Sequence, residues 1–211
     1  MPKKKRKVGS GASRYYRKIT FIPADSNHNF LIGKCLKVLH GVNCRHRLNS
    51  IGVTFPDWSD ESPGNSIAFV SVDSACIDLL IDQHYYQQMQ DLEYFEISAL
   101  KPVPENGSEE IMFSRNQAVD ELTPAGVRRK LRRCARRAKQ RGENYNAAYL
   151  SSSEKVFPHF HKIPMNSKSS DRNFSLNIQL EMAQNVTYGN YTSYGLSNKS
   201  SRKASVPKNL D

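Results

Sequence analysis

Residues 15–42 read YYRKITFIPADSNHNFLIGKCLKVLHGV, and this stretch decides the fold. Residues 15–22 mix aromatic and β-branched side chains over strand length, and Pro23 closes the run. Ser26 or Asn27 supplies an N-cap for a helix reaching about His40. Leu31, Cys35, Val38, Leu39 and Val42 recur at helical spacing, with Lys34 and Lys37 on the outer side. Outward from this strand–helix pair, residues 47–55 read as a strand ending before Pro56. Residues 59–65 read as a polar turn containing Pro63 and Gly64. Residues 66–72 (SIAFVSV) form another strand. Asp73 or Ser74 opens a second helix with Cys76, Leu79, Leu80 and Gln83 or His84 on one face, and residues 92–99 alternate as a fourth strand. The order β-α-β-β-α-β over residues 14–100 predicts an α+β chain with an N-terminal ferredoxin-like, split βαβ domain. RNA-recognition modules share this frame. Their aromatic sheet motifs are absent, so base stacking on the sheet is not expected.

Residues 101–110 (KPVPENGSEE) read as a linker, and residues 111–198 as a smaller C-terminal domain. It opens with an extended segment over 111–118. Thr123-Pro124 then starts a helix that runs to about Arg141, before Gly142. Residues 151–153 and 155–170 are loop-rich, residues 174–181 alternate as a strand, and residues 191–196 are expected to pair with it. Residues 199–211 are polar and are expected to form a disordered tail.

The N-terminal residues 1–13 stand apart. PKKKRKV followed by Gly-Ser-Gly looks like a nuclear-localisation tag with a linker. The chain has 211 residues and a formal net charge of +11; without the five cations of the tag it keeps +6. No apolar run approaches the roughly 18 residues of a membrane span, and no secretory signal is read, so the Asn-x-Ser/Thr sequons carry no weight. Cys35, Cys44, Cys76 and Cys134 show no CxxC and no zinc-module spacing, which fits inert thiols in a reducing compartment.

The charge is concentrated. Nine of the fourteen residues from Arg128 to Arg141 are Lys or Arg. Val127, Leu131, Ala135 and Ala138 form a narrow apolar stripe, enough to seat the helix but not to bury it. Arg128, Arg129, Lys130, Arg132, Arg133, Arg136 and Arg137 occupy the rest. No Asp or Glu interrupts this run, so repulsion among the cations is relieved only by a polyanion, with counterion release and salt-dependent binding. A solvated cationic face is the plain alternative. Charge does not choose between RNA and duplex DNA. A helix can enter an A-form major groove where it opens at the end of a short hairpin.

RNA cleavage by the ribose 2′-OH needs a proton acceptor, a group that orients the hydroxyl, and a fixed phosphate. Six histidines are candidates: His28 and His46 in turns, His40 at the end of the first helix, His84 on the second, and His159 and His161 in a loop. Composition does not choose among them. At a helix end the dipole favours the imidazolium form.

Several motifs recur in a fixed order. His40 is followed by Ile51-Gly-Val-Thr-Phe-Pro-Asp57. Arg115-Asn-Gln117 precedes the arginine helix, Arg172-Asn-Phe174 begins the late strand, and Ser193-Tyr-Gly-Leu-Ser197 follows it. Over residues 15–197 this pattern resembles the repeat-processing endoribonucleases of subtype I-F CRISPR systems, closest to variants carried by RNA-guided transposons. The resemblance implies that His40 is the catalytic base and that Ser167, or else Ser169 or Ser170, holds the 2′-OH. It implies that Tyr194 orders the site, that Arg115 and Gln117 read a guanine and an adenine, and that Phe174 stacks on the closing base pair. The arginine helix would grip the hairpin.

It further implies cleavage without metal or other cofactor, a 2′,3′-cyclic phosphate product, and retention of that product. The expected partners are repeat hairpin RNA, the other subunits of a surveillance complex and, in transposon-borne systems, a transposition adaptor. The protein would be a monomer in that complex, away from membranes, in the bacterial cytoplasm natively and in the nucleus of a eukaryotic cell when tagged. Three features depart from the pattern: two extra residues between Gln117 and the helix, Lys130 in place of arginine, and Cys134 within the basic run. A non-catalytic RNA-hairpin adaptor would have the same basic helix and fold, and duplex DNA binding is a third reading.

Overall fold

The computed structural model describes residues 13–104, 109–122, 124–145, 158–167, 172–198 and 201–210. The tag, Ser169 and Ser170 lie outside these residues. The first half runs β1 (Tyr15–Phe21), α1 (His28–His46), β2 (Gly52–Thr54), β3 (Ser66–Ser71), α2 (Ser74–Ile81), α3 (His84–Asp91), β4 (Phe95–Ile97) and β5 (Lys101–Pro102). The sheet order is β2-β3-β1-β4, all antiparallel where paired, with β5 also on β1. This is the ferredoxin-like arrangement expected from the alternation of elements. Asn27 caps α1 by accepting from the Phe30 N–H, and Asp73 caps α2 by accepting from the Ala75 N–H.

The second half runs β6 (Glu110–Arg115), α4 (Gln117–Leu122), α5 (Pro124–Gln140), β7 (His161–Ser167), β8 (Arg172–Met182) and β9 (Val206–Pro207). Its sheet order is β7-β8-β6-β9. One hydrophobic core runs through both halves: Ile19, Leu36, Leu39 and Phe69 belong to the same cluster as Ile111, Phe113, Ile163 and Leu176. Phe113 meets Phe55 edge-on with ring centroids 4.8 Å apart, and Trp58 packs at 5.1 Å from Phe113 and 4.4 Å from His161. A bidentate pair between the buried Arg14 guanidinium and the Glu110 carboxylate ties the entry of β1 to β6.

Several sequence expectations need correction. Helix α1 does not stop at His40; it continues to His46 and closes on Arg47, at φ 55°. Burial of Val42 and Asn43 offsets the roughly 1 kcal/mol helix penalty of Gly41. His40 is therefore inside a helix, while His28 and His46 are its first and last residues. The expected strand over 47–55 shrinks to Gly52–Thr54, the second helix is split into α2 and α3 with His84 opening the latter, and Gln117 opens the helix α4 instead of lying in an extended segment. The 155–170 stretch contains the strand β7. It tolerates Pro164 because it is a sheet edge, where a missing N–H goes unneeded. Residues 191–196 do not pair with β8; they form a turn.

The tail is also revised. Val206–Pro207 pairs with Glu110 and Ile111, and Ala204, Val206 and Leu210 are buried. Leu210 and Val103 cover Tyr16, Ala68 and Val70 on the sheet face opposite α1. Apolar side chains spaced within a polar segment were enough to dock it once a complementary face existed. No helix among the described residues is long and apolar enough to cross a membrane.

Candidate active site

The 193–197 turn is built by close packing. Gly195 adopts φ 72°, and a Cβ there would lie 2.5 Å from Val53 Cγ2 and 2.8 Å from Leu39 Cδ2. Only glycine fits both the conformation and the space. A Cβ on Gly52 would lie 2.5 Å from the Tyr191 ring, so Gly52 makes room for the buried tyrosine that begins the segment. The Thr192 N–H donates to Leu196 O (2.8 Å), the Gly195 N–H to Thr192 O (2.9 Å), and the Val53 N–H to Gly195 O (3.0 Å). The Ser197 N–H donates to Phe113 O at 2.8 Å, anchoring the exit on β6.

This turn lies against α1 at His40. The Tyr194 ring stacks on the imidazole with centroids 4.4 Å apart and planes 9° from parallel. His40 Nδ1 is 2.9 Å from Ser193 Oγ, while Asn43, one turn along α1 (i+3), donates from Nδ2 to Ser193 O at 3.0 Å. Cys44 Sγ is 3.7 Å from both ring nitrogens, a weak contact. Burial lowers the His40 pKa from its ordinary value, the direction that favours neutral imidazole. Burial raises the Tyr194 phenol, against a smaller opposing pull from Arg115, so this hydroxyl keeps its proton.

The imidazole opens into a cleft of about 1280 Å³ between α1, α5 and the β7–β8 hairpin. His40, Gly41, Ser167, Phe174 and Tyr194 line it together with Lys37, Arg115, Arg128, Arg129, Arg132, Lys162 and Arg172. No carboxylate lines the cleft among the described residues. A field of one sign in a concave site draws in a polyanion. Helix α1 reaches the hairpin through Gly33, where a Cβ would lie 2.3 Å from Pro164 O, and through an amino–amide contact from Lys37 to Asn166. These contacts put Ser167, at the end of β7, in the cleft that His40 enters.

The arginine helix lies on the opposite wall. Its cations are exposed, and Ala138 is buried beneath them, with Val127 and Leu131 partly so. Arg128, Arg129 and Arg132 face the main cleft. Lys130, Arg133 and Arg137, again with Arg129, line a second recess of about 360 Å³, together with Arg115 and Gln117. Arg115 therefore borders both spaces. Arg136 lines neither. Asn116, buried between Arg115 and Gln117, donates its N–H to Asn177 O (2.7 Å) and accepts from the Ala118 N–H, turning the chain from β6 into α4. Among the described residues no three His, Cys, Asp or Glu side chains are grouped to hold a metal ion.

Ser193, beside Tyr194 in the Ser193–Ser197 motif, carries no sequence signal of its own contact with His40. Nor does the sequence mark Lys37, Lys162 and Arg172 as cleft residues. Alternation over 161–167 was the available signal, masked by Pro164, Asn166 and Ser167. His159 and His161 do not line the cleft: His161 Nε2 is 2.7 Å from Ser59 O and its ring packs against Trp58, with His159 Nε2 3.4 Å from His161 Nε2.

Residues 16–209 match the family profile described as CRISPR-associated protein (Cas_Csy4). No curated protein sequence matches the chain. Among solved structures, one titled "Crystal structure of CRISPR RNA processing endoribonuclease Cas6b" is 13% identical at a TM-score of 0.33, covering 92% of this chain and 99% of that one. "An RAMP protein binding different RNA substrates" gives 12% and 0.30, with 92% and 99% covered. A Cas6-related protein from Pyrococcus furiosus gives 11% and 0.30, with 93% and 98% covered.

Proposed function

Since the chain belongs to the Cas_Csy4 family of CRISPR-associated, repeat-processing endoribonucleases, we propose that it cuts its repeat RNA at the 3′ base of a hairpin with His40 as general base and no metal. One observation carries this reading: a half-buried imidazole, shifted toward its neutral form, opens into a cation-lined cleft with no carboxylate among the described lining residues.

The ring has one useful tautomer. With Nδ1–H donating to Ser193 Oγ, Nε2 keeps its lone pair for a substrate proton. Stacking on Tyr194 holds the ring plane, and Asn43 holds Ser193. Nε2 takes the 2′-OH proton as that oxygen attacks the adjacent phosphorus. The bond from phosphorus to the 5′-oxygen breaks, the 5′-oxygen takes a proton from solvent water, His40 returns its proton to solvent, and a 2′,3′-cyclic phosphate remains. Ser167 orients the 2′-OH. Arg115 and Gln117 read base edges in the groove, and Phe174 stacks on the closing pair. Arg128, Arg129, Lys130, Arg132, Arg133 and Arg137 hold phosphates on the stem, and Arg136 adds long-range charge.

The order of the motifs supports placing the chain in subtype I-F, beside transposon-carried variants. In that setting the cut hairpin stays bound, and the protein joins a guide-RNA surveillance complex as one copy, with a transposition adaptor where the locus is transposon-borne. The native compartment would be bacterial cytoplasm, and the PKKKRKV segment would direct a eukaryotic host's copy to the nucleus.

The test is incubation with repeat hairpins in EDTA, followed by mapping of the 3′ end. Cleavage giving a cyclic phosphate is expected. His40→Ala should slow it by about 10²–10⁴-fold with hairpin affinity retained. A hairpin with a 2′-deoxy ribose just upstream of the scissile phosphate should stay whole. Cutting of that RNA, or normal cutting by the His40→Ala protein, would refute the mechanism.

A further inference from the structure

A second groove, of about 480 Å³, adjoins the main cleft on the side away from α5. Its floor is β7–β8, and its wall is the α1 face carrying Phe30, Gly33, Lys34 and Lys37. These residues fall at steps of three, one and three, on one stripe that continues to His40, three residues further along. Ten residues of helix set Phe30 about 15 Å from His40 along the axis. Lys37, Lys162, Asn166, Asn173 and Phe174 line both spaces, so groove and cleft are continuous.

The chemistry of the groove fits a single strand of RNA. Phe30 is 49% exposed on a helix whose other large apolar side chains are inside, and Lys34 Nζ sits 4.9 Å over its ring. An exposed aromatic plate beside three lysines, with no carboxylate among the described lining residues, matches the stacking-plus-phosphate pattern of sequence-tolerant single-strand binding. The direction follows from the two walls. With the stem on the α5 side, as proposed above, a strand passing His40 away from α5 is the one continuing 3′ of the scissile phosphate.

We propose that the Phe30–Lys34–Lys37 face of α1 is a track for the single-stranded RNA immediately 3′ of the cleavage site, holding the flank so that the scissile phosphate is drawn into the cleft. The proposal rests on the hairpin-cleavage reading above. It explains why Phe30 is left in solvent, where it contributes little to the core.

The test uses hairpins carrying a 2′-deoxy ribose at the cleavage site. One ends just 3′ of the scissile phosphate, a second carries a short oligoadenylate 3′ tail, and a third carries the same tail at the 5′ end. The 3′ tail should tighten binding by the wild-type protein roughly tenfold, the scale of one stacked base. Phe30→Ala/Lys34→Ala should abolish that gain while leaving affinity for the tail-less hairpin and its circular dichroism unchanged. No gain from the 3′ tail, a gain that survives the double substitution, or an equal, Phe30-dependent gain from the 5′ tail would each overturn the track. Failure to bind the tail-less hairpin would instead refute hairpin recognition, and the track with it.

Discussion

A histidine that takes a proton from a ribose hydroxyl must be neutral when substrate arrives and must keep one ring nitrogen unengaged. In the proposed mechanism burial shifts His40 toward the neutral form, and a bond from Nδ1 to Ser193 Oγ, 2.9 Å away, leaves Nε2 with only the weak Cys44 contact. Had the helix ended at His40, its dipole would have favoured the imidazolium form. Six further residues of helix remove that bias, and desolvation decides the direction. The pH profile of kcat/KM reports the free enzyme, so cleavage should rise with pH through an apparent pKa below 6.5 and then level off. A midpoint above 7 would contradict the burial argument. The sign for stability is the same: the folded chain prefers neutral His40, so its contribution is full above 6.5 and is lost as pH falls through the lower folded value. Ser193→Ala leaves the ring free to present either tautomer. Loss of one hydrogen bond near 1–1.5 kcal/mol should lower kcat about tenfold, with KM little changed. Single-turnover cleavage at saturating enzyme measures it, and an unchanged rate would remove Ser193 from the mechanism. Composition had left six histidines equal, and only the motif order singled out His40.

At the scale of elements, the decisive contact is α1 against β7. Gly33 allows the helix to approach Pro164 O, and the approach brings Ser167 toward the imidazole. Gly33→Ala puts a methyl group into backbone that cannot yield as a flexible side chain would. A cost of about 1–3 kcal/mol is expected, or roughly 2–4 °C in Tm for each kcal/mol. Cleavage should fall beyond what stability explains, because the two walls of the cleft separate. Thermal unfolding together with cleavage well below Tm checks this, and a stable variant cutting normally would show that the contact does not set the site. Helix α5 was legible in the sequence from Pro124 to the left-handed Gly142 that follows it, since the proline start, the glycine stop and the uninterrupted cationic run are local signals; the expected Thr123 cap lies outside the described residues. Strand β7 was not, because Pro164 and its polar neighbours argue against a strand until the sheet edge is known. Ser193 and Tyr194 were likewise visible as part of a motif, but a turn held by contacts to β2, β6 and α1 has no periodicity to read.

For the whole molecule, the two sheets share one core, and the C-terminal segment closes both. Val206 pairs with β6, Thr54 Oγ1 donates to Pro207 O at 2.8 Å, and Leu210 covers Tyr16 and Val70. Truncation after Arg202 removes Val206 and Leu210, side chains worth roughly 1.5–3 kcal/mol each when fully buried. Against a total stability of roughly 5–15 kcal/mol, the shortened chain should unfold at much lower denaturant or fail to accumulate as monomer. A truncated protein with an unchanged midpoint would contradict this. The sequence by itself determined the main alternation of strands and helices, the two-residue windows that hold the caps of α1 and α2, and the placing of charge on α5, since each depends on neighbours within a few positions. Only the tertiary structure decided where α1 ends, that 161–167 is a strand, that the tail docks, and which serine meets His40. Those outcomes depend on burial against residues far away in the chain, and periodicity and propensity carry no record of such partners.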